Sequence, residues 1–254
     1  MIFSEVSKNG DVAPALQENE VFGPTAGVPD EAGGTEDPRI TYDSTLGRYF
    51  LTYTAVGASS YYLALASSPT PLDASSWTRH GSVIPPSSPL QPHSKSGAIL
   101  SRYPKKSYLF WGDSDIRVAT SDDLVHWNVT DTKVISPRPG MFDSKLVESG
   151  PEPMPLSTGD YLFIHNSAND NLTYHVTWAI LDKNDPSKVI QRASEPLLSP
   201  VEPWELGWAP ERCNVPNVVF CEAIVPIPDT KDSFRLYFGG ADAVIGTATI
   251  QVST

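Results

Sequence analysis

The sequence predicts an all-β chain folded as a β-propeller, and three observations carry that reading. Helical periodicity is nearly absent. Short apolar and aromatic strings recur instead, bounded by Gly, Asp, Asn, Ser and Pro. A similar tail then returns at intervals of about fifty residues, a spacing at which repeats mean propeller blades.

The strings run in order along the chain. They are RYFLTYTAV (Arg48–Val56), YYLALASS (Tyr61–Ser68), SYLFWGD (Ser107–Asp113), IRVATS (Ile116–Ser121), DYLFIHNSA (Asp160–Ala168), TYHVTWAILD (Thr173–Asp182), FRLYFGGAD (Phe234–Asp242) and VIGTATIQV (Val244–Val252). They pair up, and three pairs continue into a tail: SSWTRHGSVIPP, DLVHWNVTDTKVISP and SKVIQRASEPLLSP. Each tail has a polar turn, a strand and a proline. A blade is a four-stranded sheet, and radially arranged blades bury their faces against each other. A β-sandwich is the competing reading, and the echoing tails favour the propeller. A fourth pair ends the chain. Near the start, SKNGD (Ser7–Asp11) resembles the turn in TSDDLVHW. A single domain over 1–254 is expected, with 1–30 the remnant of an incomplete first blade.

Composition narrows the function. The 254 residues are 40% apolar, enough for a sizeable core, and 24 are proline, which suits a loop-rich β protein. A net charge of −12 argues against nucleic-acid binding, which needs a basic footprint. No apolar run approaches the roughly 20 residues that span a bilayer, so no membrane partner is expected. The opening MIFSEVSKNGD lacks the pattern of a signal peptide. The sequons at Asn128 and Asn171 hint at a secretory route. Cys213 and Cys221 match neither a zinc site nor a CxxC motif, which leaves a disulfide and two buried thiols both open. The histidines (His80, His93, His126, His165, His175) are scattered, so no metal is expected.

What remains is a set of carboxylates at loop-to-strand junctions, where a propeller collects its chemistry. Most such acids are solvated turns. Asp37, Glu148 and Glu222 stand apart. In TEDPRI, the residue before proline avoids the α region, so Asp37 is expected to be extended, with Arg39 on its face. VESGPEPMPL places Glu148 and Glu152 around a Gly-Pro turn before a strand. NVVFCEAIVP sets Glu222 in apolar company, which raises a carboxyl unless it is paired. Elevated carboxyls suit general acid and base work, and glycoside cleavage uses that composition.

Four stretches in order, GGTEDPRI…YFLTYTA, ESGPEPMPLSTGDYLF, VPNVVFCEA and LYFGGADAVIG, resemble glycoside hydrolase family 130, with SKSGAIL and SDDLVHW also fitting. The resemblance implies a five-bladed propeller acting on β-mannosides, with no cofactor. It implies that Asp37 is the catalytic acid, acting through a sugar hydroxyl, with Glu36 and Arg39 as neighbours. Asp242 would contact the sugar, and Tyr53, Lys95, His165 and Asn166 would join the binding site. The family inverts configuration and contains hydrolases and phosphorylases. Phosphorylase members carry an arginine before the Gly-Pro turn and a Tyr-His pair on the next strand. Here KLVESGPEP has Glu148 in the approach and Lys145 as its one cation, and His165-Asn166 stands near the Tyr-His position. Hydrolase members use two glutamates instead, and Glu148 and Glu222 are the candidates. The expectation is therefore an inverting β-mannoside hydrolase on oligosaccharide or glycan substrates. Its alternatives are a β-mannoside phosphorylase, a non-catalytic carbohydrate-binding propeller, and a furanosidase-type propeller.

Overall fold

The structure is a computed structural model and describes Met1 and residues 20–92, 94–208 and 213–253. His93 and the SKNGD stretch lie outside the described residues. The expected strings form strands close to their predicted bounds. The first sheet is β1 (Gly34–Asp43), β2 (Arg48–Val56), β3 (Tyr61–Ser68) and β4 (Thr78–Ser82), in that spatial order. The second is β5 (Ala98–Leu100), β6 (Ser107–Trp111), β7 (Ile116–Ser121) and β8 (Asn128–Ile135). In the third, β9 (Leu146–Ser149) and β10 (Met154–Pro155) both pair with β11 (Tyr161–Ala168), followed by β12 (Tyr174–Leu181) and β13 (Val189–Arg192). The fourth is β14 (Val219–Pro226), β15 (Ser233–Gly240) and β16 (Val244–Gln251). Every tail supplies the outermost strand of its sheet, as its repetition suggested.

The apolar strings are nearly unbroken because the inner sheets are buried on both faces. Successive residues of one strand serve different interfaces. Leu109 packs between the first and second sheets, and Phe110 between the second and third. Phe50 joins the former core, whereas its neighbour Leu51 packs with Phe22 on the other face of the first sheet. A third core, around Ile164, Cys221 and Leu236, joins the third and fourth sheets. This radial stacking is the propeller. The blade count differs from expectation: the described residues hold four sheets, not five. The strings and tails account for the four sheets; the fifth blade was expected from the SKNGD echo, read as the remnant of a first blade, and from the family resemblance. The expected first-blade remnant falls mostly outside the described residues. Cys213 is exposed, Cys221 is buried, and both are free thiols.

Candidate active site

All four sheets send residues to one cavity of about 750 Å3. β1 brings Glu36 and Asp37, the loop before β5 brings Lys95, β9 brings Glu148 and β12 brings Tyr174. β14 adds Phe220 and Glu222, and the turn between β15 and β16 adds Asp242. The three carboxylates singled out from sequence therefore meet, and Glu36, Lys95 and Asp242 meet with them.

The backbone at this end of the ring is unusual. Register along β1 runs from Glu36 opposite Thr54 to Arg39 opposite Thr52, so Asp37 and Pro38 together face Tyr53 in a β-bulge. Asp37 has φ +51, not the extended conformation expected. Proline disfavours the right-handed α region for the residue before it but leaves the left-handed region open, and Asp tolerates that region better than most residues. The bulge turns Asp37 out of the ladder and into the cavity. Ser96 (φ +56) and Asp242 (φ +50) are also left-handed. Left-handed residues also occur away from the cavity, at Leu124, Leu172 and Asp229, so this conformation fits a functional site without by itself marking one. Gly150, directly after β9, runs so close to β11 that a Cβ there would stand 2.6 Å from the Ile164 carbonyl oxygen.

The electrostatics are lopsided. Five carboxylates, Glu36, Asp37, Glu148, Glu222 and Asp242, surround one lining cation, Lys95. Glu148 is buried, accepts from Ser96 Oγ at 2.7 Å and lies 3.3 Å from Lys95 Nζ. Burial raises its carboxyl despite Lys95, Ser96 and Arg39. Burial pulls Lys95 down, but Glu148 and Asp37 outweigh it and keep the ammonium charged. Burial pushes Glu222 up to about 7, opposed by Arg39 and helped by Asp37, Asp242 and Glu148. Its side chain nevertheless keeps 31% of its surface open, because one side faces the cavity. Burial and Asp37 raise Glu36 and Asp242 in the same sense. Asp37 accepts from Thr54 Oγ1 at 3.3 Å. Among the described residues, no group of His, Cys, Asp and Glu is arranged to hold a metal ion.

Four expected site residues lie elsewhere. Arg39 is buried behind the cavity, bonded to backbone carbonyls and Glu222. Tyr53 points to the other face of β2, donating to Glu31 Oε1 at 2.8 Å. Burial pushes its phenol up. His165 is fully buried toward Phe163, and burial with Arg192 holds its imidazole down to about 3. Asn166 ties β11 to β14 through both its amide atoms, donating to the Cys221 carbonyl at 3.0 Å and accepting from the Cys221 amide at 2.7 Å. Tyr174, Phe220, Ser96 and Asn214 were not singled out from sequence. Phe220 was findable, since it lies two residues before Glu222 and so on the same strand face.

The sequence model of glycoside hydrolase family 130, described as beta-1,4-mannooligosaccharide phosphorylase, matches residues 1–254. The chain belongs to this family. It is 35% identical over 232 residues to the 1,2-beta-oligomannan phosphorylase of Thermoanaerobacter sp. (strain X514), covering 87% of this chain and 70% of that one. The beta-1,2-mannobiose phosphorylase of the same organism is 34% identical, with 88% and 69% covered. A solved structure from work stating that "the GH130 family of mannoside phosphorylases contains glycoside hydrolases that target beta-1,2 mannosidic linkages in Candida mannan" superposes with TM-score 0.77 at 31% identity. It covers 91% of this chain and 70% of that one. The Listeria innocua beta-1,2-mannobiose phosphorylase, solved with beta-1,2-mannobiose, gives TM-score 0.71 at 25% identity, with 85% and 58% covered.

Proposed function

We propose that this chain cleaves β-mannosides at the five-carboxylate cavity by one inverting displacement. Asp37 supplies the proton that the leaving oxygen takes as the C1–O bond breaks. Glu148 and Glu222 flank the acceptor, and Asp242, Glu36 and Tyr174 hold the sugar. With water as acceptor, Glu222 takes its proton as the new C1–O bond forms, and the product is the α-anomer.

The charge around the acceptor carries the choice of water. Lys95 faces Glu148 at 3.3 Å and Arg39 faces Glu222 at 3.3 Å, so both cations already have carboxylate partners. A phosphate dianion entering here meets raised carboxyls before it meets a free cation. The relatives weigh the other way. Both Thermoanaerobacter relatives and the Listeria structure are named phosphorylases. On the relatives' names, phosphorolysis, with orthophosphate in place of water, is better supported than hydrolysis. It is the second reading.

Both Thermoanaerobacter names specify 1,2-linked substrates, so β-1,2-mannobiose is the first to test, with the β-1,4 isomer beside it. Incubation with and without phosphate, followed by 1H and 31P NMR, separates the readings. Mannose released without phosphate supports hydrolysis. Mannose 1-phosphate formed only with phosphate overturns it in favour of phosphorolysis. Binding with no turnover in either buffer leaves the carbohydrate-binding propeller.

A further inference from the structure

We propose that Arg39 is a positioning residue that fixes the acid Asp37 and the carboxylate Glu222 relative to each other without touching the sugar. The assignment of those two roles rests on the function proposed above; the link between the residues does not.

Arg39 has 3% of its surface exposed and lies behind the cavity wall. Its guanidinium reaches strands of three sheets. Nη1 donates to the Asp37 carbonyl at 2.7 Å, within the bulge. Nε donates to the Gly150 carbonyl at 3.3 Å and Nη2 to the Ser149 carbonyl at 3.2 Å, both at the end of β9. Nη2 also lies 3.3 Å from Glu222 Oε1 on β14. A planar fork of five fixed donors satisfies these acceptors together; an ammonium has three donors and no fork. The left-handed Asp37 is thus held through its own carbonyl by the group that holds Glu222. Second contacts of this kind set the geometry of groups that do chemistry. The charged groups facing Glu222 are Asp37 and Arg39 from β1, Glu148 from β9 and Asp242 from the β15–β16 turn. Arg39 is the cation among them.

Two variants test this, read by kinetics on β-1,2-mannobiose and by 13C NMR titration of labelled glutamate carboxyls. Arg39→Lys keeps a charge but loses the fork. We expect kcat to fall about 10- to 100-fold with KM within about threefold, and the Glu222 titration to stay near that of the wild type. In Arg39→Met the Glu222 titration moves up by about one pH unit or more. A tenfold rise in KM at unchanged kcat in Arg39→Lys overturns the proposal, because it marks a sugar contact. Wild-type kinetics in Arg39→Lys overturn it too, because the fork is then dispensable. An unmoved Glu222 titration in folded Arg39→Met breaks the link itself. The titrations need no turnover. If the wild type cleaves neither mannobiose in either buffer, the proposed function fails while the Arg39 link is still tested.

Discussion

Two buried carboxylates, Asp143 and Glu148, lie five residues apart and have opposite surroundings. Asp143, on the loop between β8 and β9, is fully buried and gripped by two arginines. Arg138 Nη2 is 2.7 Å away and Arg192 Nη2 2.5 Å. Two cations serve one anion, and Asp143 does not line the carboxylate cavity. Glu148 is equally buried, yet it has one lysine, one hydroxyl and four further acids across a cavity. Burial of a charge alone therefore does not mark a site, since a closed ion cluster is a structural solution. A surplus of one sign in a concave space is harder to explain structurally, and it is where shifted carboxyls gather.

The largest expected effect breaks the comparison at its chemical end. Asp37→Asn should lower kcat by about 10³-fold, within the range for losing a general acid, with thermal stability nearly unchanged. Mannose or mannose 1-phosphate release from β-1,2-mannobiose measures it, and near-normal turnover removes Asp37 from that role. Asp143→Ala should do the reverse. It leaves Arg138 and Arg192 facing a void and should cost about 3–5 kcal/mol in urea unfolding, with kcat of the folded protein retained. An Asp143 variant that stays stable but loses activity would erase the distinction.

A smaller effect sharpens it. Glu222→Gln should lower kcat about 10²-fold if Glu222 is the base. A base works deprotonated, and Glu222 is pushed up to about 7 by burial. Activity of the wild type should therefore rise from pH 6 to pH 8 through this group, and the Gln variant should lose that limb. A limb that persists in the variant belongs to another residue.

Much of this architecture was legible in the sequence because two-sided burial leaves unbroken apolar strings and blade repetition leaves echoing tails. Asp37, Glu148 and Glu222 were singled out as acids at loop-to-strand junctions; they do line one cavity, but each lies within a strand, Asp37 at the bulge of β1, Glu148 in β9 and Glu222 in the middle of β14. Which face a side chain takes was not legible. The resemblance placed Tyr53 and His165 in the binding site. Tyr53 instead packs with Phe22 on the other face of the first sheet, and His165 is buried beside Phe163. With both faces of these strands apolar, alternation gave no sign of the difference. The conformation of Asp37 was hidden for another reason. The rule for residues before proline removes one region, and pairing with β2 across the bulge decides between the others. Arg39 bonds mainly to main-chain carbonyls, which leave no mark in a sequence pattern. The fifth blade was read from a five-residue echo, SKNGD, and from the family resemblance, and the described residues hold four sheets.

The smallest effect concerns Glu152, which sits just past the Gly-Pro turn and outside the cavity. Burial pushes its carboxyl up to about 7 as well, with a hydrogen bond from Thr41 opposing. A carboxyl whose folded value exceeds its ordinary 4.5 binds its proton more tightly in the folded chain than in the unfolded one. Stability from this group is therefore present below pH 4.5 and drains away as pH rises toward 7. Glutamine carries no proton to lose and can still accept from Thr41. Glu152→Gln should leave unfolding at pH 4.5 nearly unchanged and add about 1–2 kcal/mol at pH 8, read as a higher Tm in calorimetry. Its kcat profile should keep the limb near pH 7. If that limb vanishes with Glu152 and survives in Glu222→Gln, the titrating base lies outside the cavity. The contrast between functional and structural acids would then have to be redrawn around Glu152.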